Sequence, residues 1–369
     1  MSSVDVIVPC YRYGHFLREC VESVLAESVL RVRVLIIDDA SPDNTAEVAS
    51  DLVREDARVT FLRHTMNKGH IATYNEGIAW ASADYMLILS ADDYLLPGAL
   101  NRAANLMDAH PEVGFTIGRA ITLDDRGTSR QTHAIMDKAG QRILTGLEFI
   151  ELSGSRNIVF TPTAVVRTEL QKRLGGYLTN LPHSGDMEMW MRFAAHSSVG
   201  IFEAYQAVYR RHAGNMSLDY TMKTWLPDIQ QRKAAIDCFF QTRSHLLPNA
   251  PQLRRKLFWS LGCDAVGHAS AAFNERKMEV SEQLSTFALE LCPEVKWSLA
   301  WTKLACKRRI GYTAWRALQL AVTVIHKVGS LLRLLVRLVR NWLADSATRP
   351  LGVYRIPPKV LKAKENRDR

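Results

Sequence analysis

Two pairs of adjacent carboxylates, Asp38-Asp39 and Asp92-Asp93, each close a short apolar run, VLIIDD and YMLILSADD. Like charges side by side repel unless something neutralises them, and a divalent cation held by carboxylate oxygens does so well. Such a cation could bridge to a diphosphate and stabilise the charge that grows on it as it leaves. Asp39 could instead accept a hydrogen bond from a base N–H, and Asp92 one from a ribose hydroxyl. The competing reading is local: Asp-Asp before Pro97-Gly98 is ordinary turn chemistry, and Asp also caps helices. Finding both pairs at the ends of apolar runs weighs toward a common site.

The elements that must position these acids can be read from periodicity. Apolar runs predict strands over 4–8, 32–37, 59–62 and 85–89. Helical patterns between and after them cover 15–26, 44–53, 71–81 and 98–107. Nearly continuous apolar strands alternating with helices imply an α/β fold with a mostly parallel sheet covered on both faces. In such sheets ligands bind beyond the carboxyl ends of the strands, where both acidic pairs fall. No GxGxxG follows the first strand; Pro9-Cys10-Tyr11-Arg12 stands there, so the dinucleotide fingerprint is absent. A strand over 113–117, an irregular section over 120–140, a strand over 158–167, a turn at Gly175-Gly176 and a helix over 186–195 follow. Beyond 225 the pattern becomes mainly helical, giving expected domains of 1–225 and 226–345 and a charged, flexible tail over 346–369.

The chain has 369 residues and a net charge of +9 that is unevenly placed, since 295–343 holds no Asp or Glu. Within that block LLRLLVRLVRNWL spaces Arg333, Arg337 and Arg340 four and three apart, with Leu, Val and Trp342 over much of the rest. This suits a basic amphipathic helix lying on an anionic membrane surface; the alternative is a helix packed on protein. The uncharged run 317–325 is too short to span a bilayer. Six scattered cysteines without CxxC read as free thiols in a reducing compartment, and MSSVDVIVPC reads as a strand rather than a secretory signal.

The stretches VIVPCYRYGHFLRECVESVLAES, VLIIDDASPDNTAEVA, NKGHIATYNEGIAWASADYMLILSADD, GGYLTNLPHSGDMEMWMRFA and YRRHAGNMS resemble, in order and over residues 3–217, the family 2 glycosyltransferases. The resemblance implies a GT-A fold, Rossmann-like, to which the mainly helical pattern beyond 225 adds a C-terminal region. It also implies inverting transfer of a sugar from a nucleoside-diphosphate sugar, with UDP favoured, to a hydroxyl of a glycan or lipid-linked acceptor. Carried onto this sequence, Pro9, Tyr11, Asp39 and Lys68 belong to the nucleotide-binding region. Asp92 lies near ribose or metal, and Asp93 is the direct ligand of Mn²⁺ or Mg²⁺. Arg210 and His212 close over the diphosphate, with His212 able to approach the metal, and Asp186 is the general base. Two departures stand out: Arg12 follows Tyr11 where the family often has Asn, and Gly185 precedes Asp186 where it often has Glu. The second leaves Glu188 as a rival base, two residues from Asp186 and so off its helical face.

The implied setting is cell-envelope polysaccharide synthesis by a cytoplasmic enzyme, peripheral on the inner face of the membrane, with a homo-oligomer possible. A nucleotidyltransferase acting on sugar phosphates is the enzymatic alternative, but PCYRYGH is a poor phosphate-cradling loop. A non-catalytic membrane- or nucleic-acid-binding protein is the other, and it has no use for four acids at strand ends. Nucleic acid is therefore not an expected partner.

Overall fold

The computed structural model describes residues 2–27, 31–131, 140–216, 218–221, 224–321 and 335–338. The chain opens with β1 (Ser3–Cys10), α1 (Gly14–Leu25), β2 (Arg31–Asp38), α2 (Thr45–Glu55), β3 (Val59–Arg63), α3 (His70–Trp80) and β4 (Tyr85–Ile88). Strands β3, β2, β1 and β4 pair side by side in parallel, with Cys10 opposite Asp38 and Asp38 opposite Arg63. The strand and helix pattern expected for these residues is the one observed, within about two residues at each end.

Burial follows the pleat. In β1, Val4, Val6, Val8 and Cys10 join the core cluster under α1 and α4 (Ala99–Ala109), where Leu17, Val21, Val24, Leu100 and Ala103 pack. The opposite face receives α3, which approaches so closely that a Cβ on Gly77 would lie 2.3 Å from Ile7. Asp5 breaks the apolar run and is fully buried. Its charge is compensated by Arg33, at 2.8 and 2.7 Å, and by the N–H groups of Ser82 and Ala83.

The sheet continues through β5 (Tyr94–Leu95), β6 (Val113–Asp124), β7 (Ser129–Gln131), β8 (Gln141–Leu144), β9 (Val165–Arg167) and β10 (Ser198–Arg211). Its order is β3-β2-β1-β4-β9-β6-β10-β5, a mixed sheet that is parallel at one side. Helices α5 (Gly146–Ser153), α6 (Thr168–Leu174) and α7 (Gly185–Ala194) cover this half. Two expectations change here. The section 120–140 is partly regular, since β6 runs to Asp124 and turns into β7, and only 165–167 of the expected strand 158–167 is extended. The long strand β10 was not anticipated; it pairs in parallel with β6 and antiparallel with β5, immediately after Asp93.

A short helix α8 (Leu218–Thr221) is followed, among the described residues, by α9 (Leu226–Arg243), α10 (Ala250–Asn274), α11 (Met278–Leu291) and α12 (Leu299–Ile310). Compactness divides the chain into Met1–Ala305 and Cys306–Arg369, so the expected boundary at 225 falls inside the first unit. In the second unit, 312–321 and 335–338 are helical, and Leu335, Val336 and Leu338 are exposed. Arg333, Arg340, Trp342 and the tail 346–369 lie outside the described residues. Among the described residues no helix is long and apolar enough to cross a membrane.

Candidate active site

A cleft of about 1580 Å³ opens at the carboxyl ends of β1, β2 and β4, and Pro9, Tyr11, Asp39, Asp92, Asp93, Asp186 and His212 all line it. Lys68, Glu188 and Arg210 do not line it.

The chain keeps two adjacent acids just beyond β4 by surrounding them with donors from the end of β10 and the turn that follows it. The N–H of Arg210 donates to Asp93 Oδ1 at 2.9 Å, and its Nη1 donates to the Asp92 carbonyl at 2.6 Å. Asp92 Oδ2 meets His212 Nε2 at 3.0 Å and accepts from Asn215 Nδ2 at 3.3 Å. Tyr13 supports this turn, donating to the Gly214 carbonyl at 3.0 Å with its ring edge-on to His212. The compensation is incomplete. Asp92 Oδ1 is buried with no hydrogen-bond partner. Burial, followed by the neighbouring Asp92 charge, pushes the Asp93 carboxyl well above the ordinary range. Among the described residues no three His, Cys, Asp or Glu side chains form a ready-made metal cage. An unpartnered buried carboxylate oxygen beside an acid that resists ionisation still fits a cation. Mg²⁺-type ions are commonly held by one or two carboxylates, the remaining ligands coming from water and substrate phosphates.

At the end of β2 the two acids part ways. Asp38 is buried beneath the turn, accepting from the Ser41 N–H at 2.8 Å and facing Arg63 at 3.2 Å. Asp39 faces the cleft. Burial alone would raise its pKa, but His64 Nδ1 at 2.7 Å and the N–H groups of Lys68 and Gly69 at 2.7 and 2.9 Å bring it below the usual value. Lys68 thus contributes its main chain, while its ammonium pairs with Glu76 at 3.0 Å. The ring of His64 is buried between Asp39 and Glu76, with Nε2 3.0 Å from Glu76 Oε2. Arg12 and Ala40, beyond the ends of β1 and β2, hold φ of 66° and 58°. Left-handed backbone is tolerated better by Asn than by most residues, so Arg12 stands where the backbone would favour Asn.

Asp186 and Glu188, two residues apart in the first turn of α7, have different surroundings. Asp186 accepts from Asn157 Nδ2 at 2.7 Å and from the Met187 N–H at 2.8 Å. Burial nevertheless raises its pKa. Glu188 is 1% exposed and forked onto Arg192, with three N–O distances of 3.0 to 3.2 Å. Arg192 also donates to the carbonyls of Leu174, Gly175 and Gly176, pinning the Gly-Gly turn to α7.

The family model for glycosyl transferase family 2 matches residues 5–175. The match takes in just under half of the chain and makes this segment similar to the glycosyl transferase family 2. The chain is 26% identical over 229 residues to an uncharacterized protein of Mycobacterium tuberculosis, covering 60% of its own length and 70% of the relative's. It is 31% identical over 148 residues to the uncharacterized glycosyltransferase EpsJ of Bacillus subtilis, covering 40% of itself and 42% of that relative. Among solved structures it resembles residues 1–349 of S. aureus TarS, with a TM-score of 0.53, 16% identity, and 85% and 91% of the two chains covered. The likeness extends to the same TarS fragment in complex with UDP-GlcNAc, with a TM-score of 0.51 at 14% identity. These likenesses bear out the GT-A architecture.

The placement of His64 and the surroundings of the Arg210 side chain were not read from the sequence. His64 was given no role, although parallel pairing of Asp38 with Arg63 sets the next residues, Asp39 and His64, side by side. Arg210 was expected over the diphosphate. In the structure its guanidinium lies over the rings of Phe16 and Tyr94 and pairs with Glu19. The signal for that lay in β10, whose pairing with β5 points the strand end at Asp92-Asp93.

Proposed function

We propose that the protein is a metal-dependent inverting glycosyltransferase acting from a nucleoside-diphosphate sugar, with a UDP-sugar the donor we favour. The observation that carries this reading is one cleft lined by Asp39, the Asp92-Asp93 pair and Asp186. The nucleotide base packs by Pro9 and Tyr11, and its N–H donates to Asp39, whose fixed oxygens make it an acceptor at any physiological pH. Asp93 and Asp92 would hold Mn²⁺ or Mg²⁺, with His212 adjacent, and the ion would supply positive charge to the departing diphosphate.

Asp186 rather than Glu188 is the base in this reading, because Glu188 is committed to Arg192 and lies off the cleft. Asp186 accepts the proton of an acceptor hydroxyl. The hydroxyl oxygen bonds to the anomeric carbon from one side as the bond to the diphosphate oxygen breaks on the other. The electron pair leaves with the nucleoside diphosphate and the anomeric configuration inverts. We assign the acceptor to glycans or lipid-linked glycans of the cell envelope. Exposed Leu335, Val336 and Leu338 beside Arg337 support a peripheral position on the inner face of the membrane.

Hydrolysis of a panel of nucleotide sugars, with and without Mn²⁺ or Mg²⁺, tests the reading in wild type and Asp93→Ala. Slow, metal- and Asp93-dependent release of a nucleoside diphosphate from one donor is the expected result. Absence of both hydrolysis and metal-dependent nucleotide binding by calorimetry overturns it.

A further inference from the structure

The cleft extends past Asp186 to a wall that the donor chemistry leaves unused. Its edge is a chain of paired polar groups drawn from four segments. Arg156 Nε donates to Asp264 at 2.9 Å, Asp264 accepts from Arg232 at 3.1 Å, Arg232 meets Asp228 at 2.9 Å, and Asp228 faces His183 Nε2 at 3.0 Å. All five residues line the cleft, and Arg156 adjoins Asn157, the donor to Asp186. Two aromatic stacks stand on this wall. Trp225 lies on His268 with ring centres 4.3 Å apart and planes within 18°, and Tyr220 lies on His183 at 4.0 Å and 9°. Trp225 and Tyr220 also line the cleft, and Trp225 is 41% exposed.

We infer that this wall is the acceptor subsite, and that it takes a sugar ring stacked on Trp225. The inference rests on the glycosyltransferase reading and adds the acceptor's chemistry to it. An indole backed by a second ring is a rigid apolar platform that needs little ordering when a ligand arrives. A pyranose has the matching character, with an apolar C–H face and hydroxyls at its rim. Those hydroxyls both donate and accept, which suits a rim where carboxylates and guanidinium groups alternate. A purely lipidic ligand would leave these charges unsatisfied, and a polyanion would meet Asp228 and Asp264 as well as the arginines. The ring on Trp225 therefore belongs to a neutral or zwitterionic sugar, presented with its nucleophilic hydroxyl toward Asp186.

The test is direct binding of a panel of methyl glycosides, with saturation-transfer NMR to find a ligand and titration of tryptophan fluorescence to rank it. Wild type, Trp225→Ala and Trp225→Phe are compared, and UDP and GDP affinity is measured in the same preparations. We expect at least one glycoside to bind wild type at millimolar concentration. Its affinity should fall about tenfold in Trp225→Ala and recover to within about threefold in Trp225→Phe, as a lost and restored stacking face requires. Folding of Trp225→Ala is checked by circular dichroism. Glycoside binding that ignores both variants, or no glycoside binding beside normal nucleotide binding, overturns the subsite. Loss of nucleotide binding in wild type overturns the glycosyltransferase reading instead, so the two failures are distinguishable.

Discussion

Arg210 and Asp93 are joined through the main chain: the arginine N–H, not its guanidinium, donates to the carboxylate at 2.9 Å. The acid is therefore oriented by the backbone of β10 whatever side chain stands at 210. Asp93→Asn keeps the accepting oxygen and removes the charge that burial opposes. We expect it to fold with a Tm equal to or above wild type, while metal-dependent nucleotide binding disappears and turnover falls by about 10³-fold or more. Thermal melts and calorimetry check both halves. A variant that binds nucleotide with the same metal dependence as wild type removes Asp93 as a ligand.

Asp186 should show the opposite signs in activity and stability. Its carboxyl is raised above the usual value, so the folded state binds its proton more tightly than the unfolded chain does. Stability contributed here falls as pH rises through that interval. Asp186→Asn should then be as stable as wild type at neutral pH or more so, with turnover reduced about 10² to 10⁴-fold. The wild-type kcat/KM should rise with pH through an apparent pKa above the ordinary carboxylate value, and a profile flat through that region would exclude Asp186 as the base.

Glu188 gives the complementary case. Its removal leaves Arg192 buried without its carboxylate, a change worth about 3–5 kcal/mol. Glu188→Ala should lose most of its folded yield. Glu188→Gln, which retains hydrogen-bond acceptance, should keep turnover per folded molecule within about tenfold, measured after active fraction is determined by nucleotide titration. A Glu188→Gln protein that is well folded and inactive would move the base to Glu188.

His64 holds Asp39 from behind. His64→Ala removes one of three donors to that carboxylate, and we expect nucleotide affinity to weaken by about tenfold with kcat little altered. Asp39 has a lowered pKa in the folded protein. The stability it contributes is present above the unfolded value and lost as pH falls through the folded one. Acid unfolding of His64→Ala should accordingly begin at higher pH than in wild type, followed by circular dichroism.

Arg12 carries left-handed backbone with a side chain that is exposed. Arg12→Asn should raise stability by about 1 kcal/mol, because Asn meets the same φ at lower cost. Denaturant melts measure this, and an unchanged midpoint would mean that the Arg12 side chain offsets the backbone term.

The first half of the fold was legible because its strands are unbroken apolar runs and its helices are separated by short turns. The acidic pairs were legible because adjacent like charges at strand ends need a reason. β10 was not, since Glu203 and Gln206 interrupt its apolar pattern and register shifts after Phe202 and Tyr205 break its alternation. The separation of Asp186 from Glu188 was also hidden in sequence. It depends on Arg192 one turn on, whose guanidinium is drawn to three carbonyls of the Gly175-Gly176 turn. The polar wall required helices α9 and α10 to fold back onto the loop bearing Arg156, contacts that no local pattern encodes.

The acidic pair and the segment that completes its surroundings lie 117 residues apart in the chain. Closing so long a loop carries an entropic cost that neighbouring strands such as β1 and β2 do not share, and distant pairings form slowly. A chain emerging from synthesis can therefore build the strands behind the acids well before β10 arrives to compensate them. Any ligand that engages only the completed arrangement then favours the docked strand by mass action, so the donor would serve as a late chaperone of its own binding site.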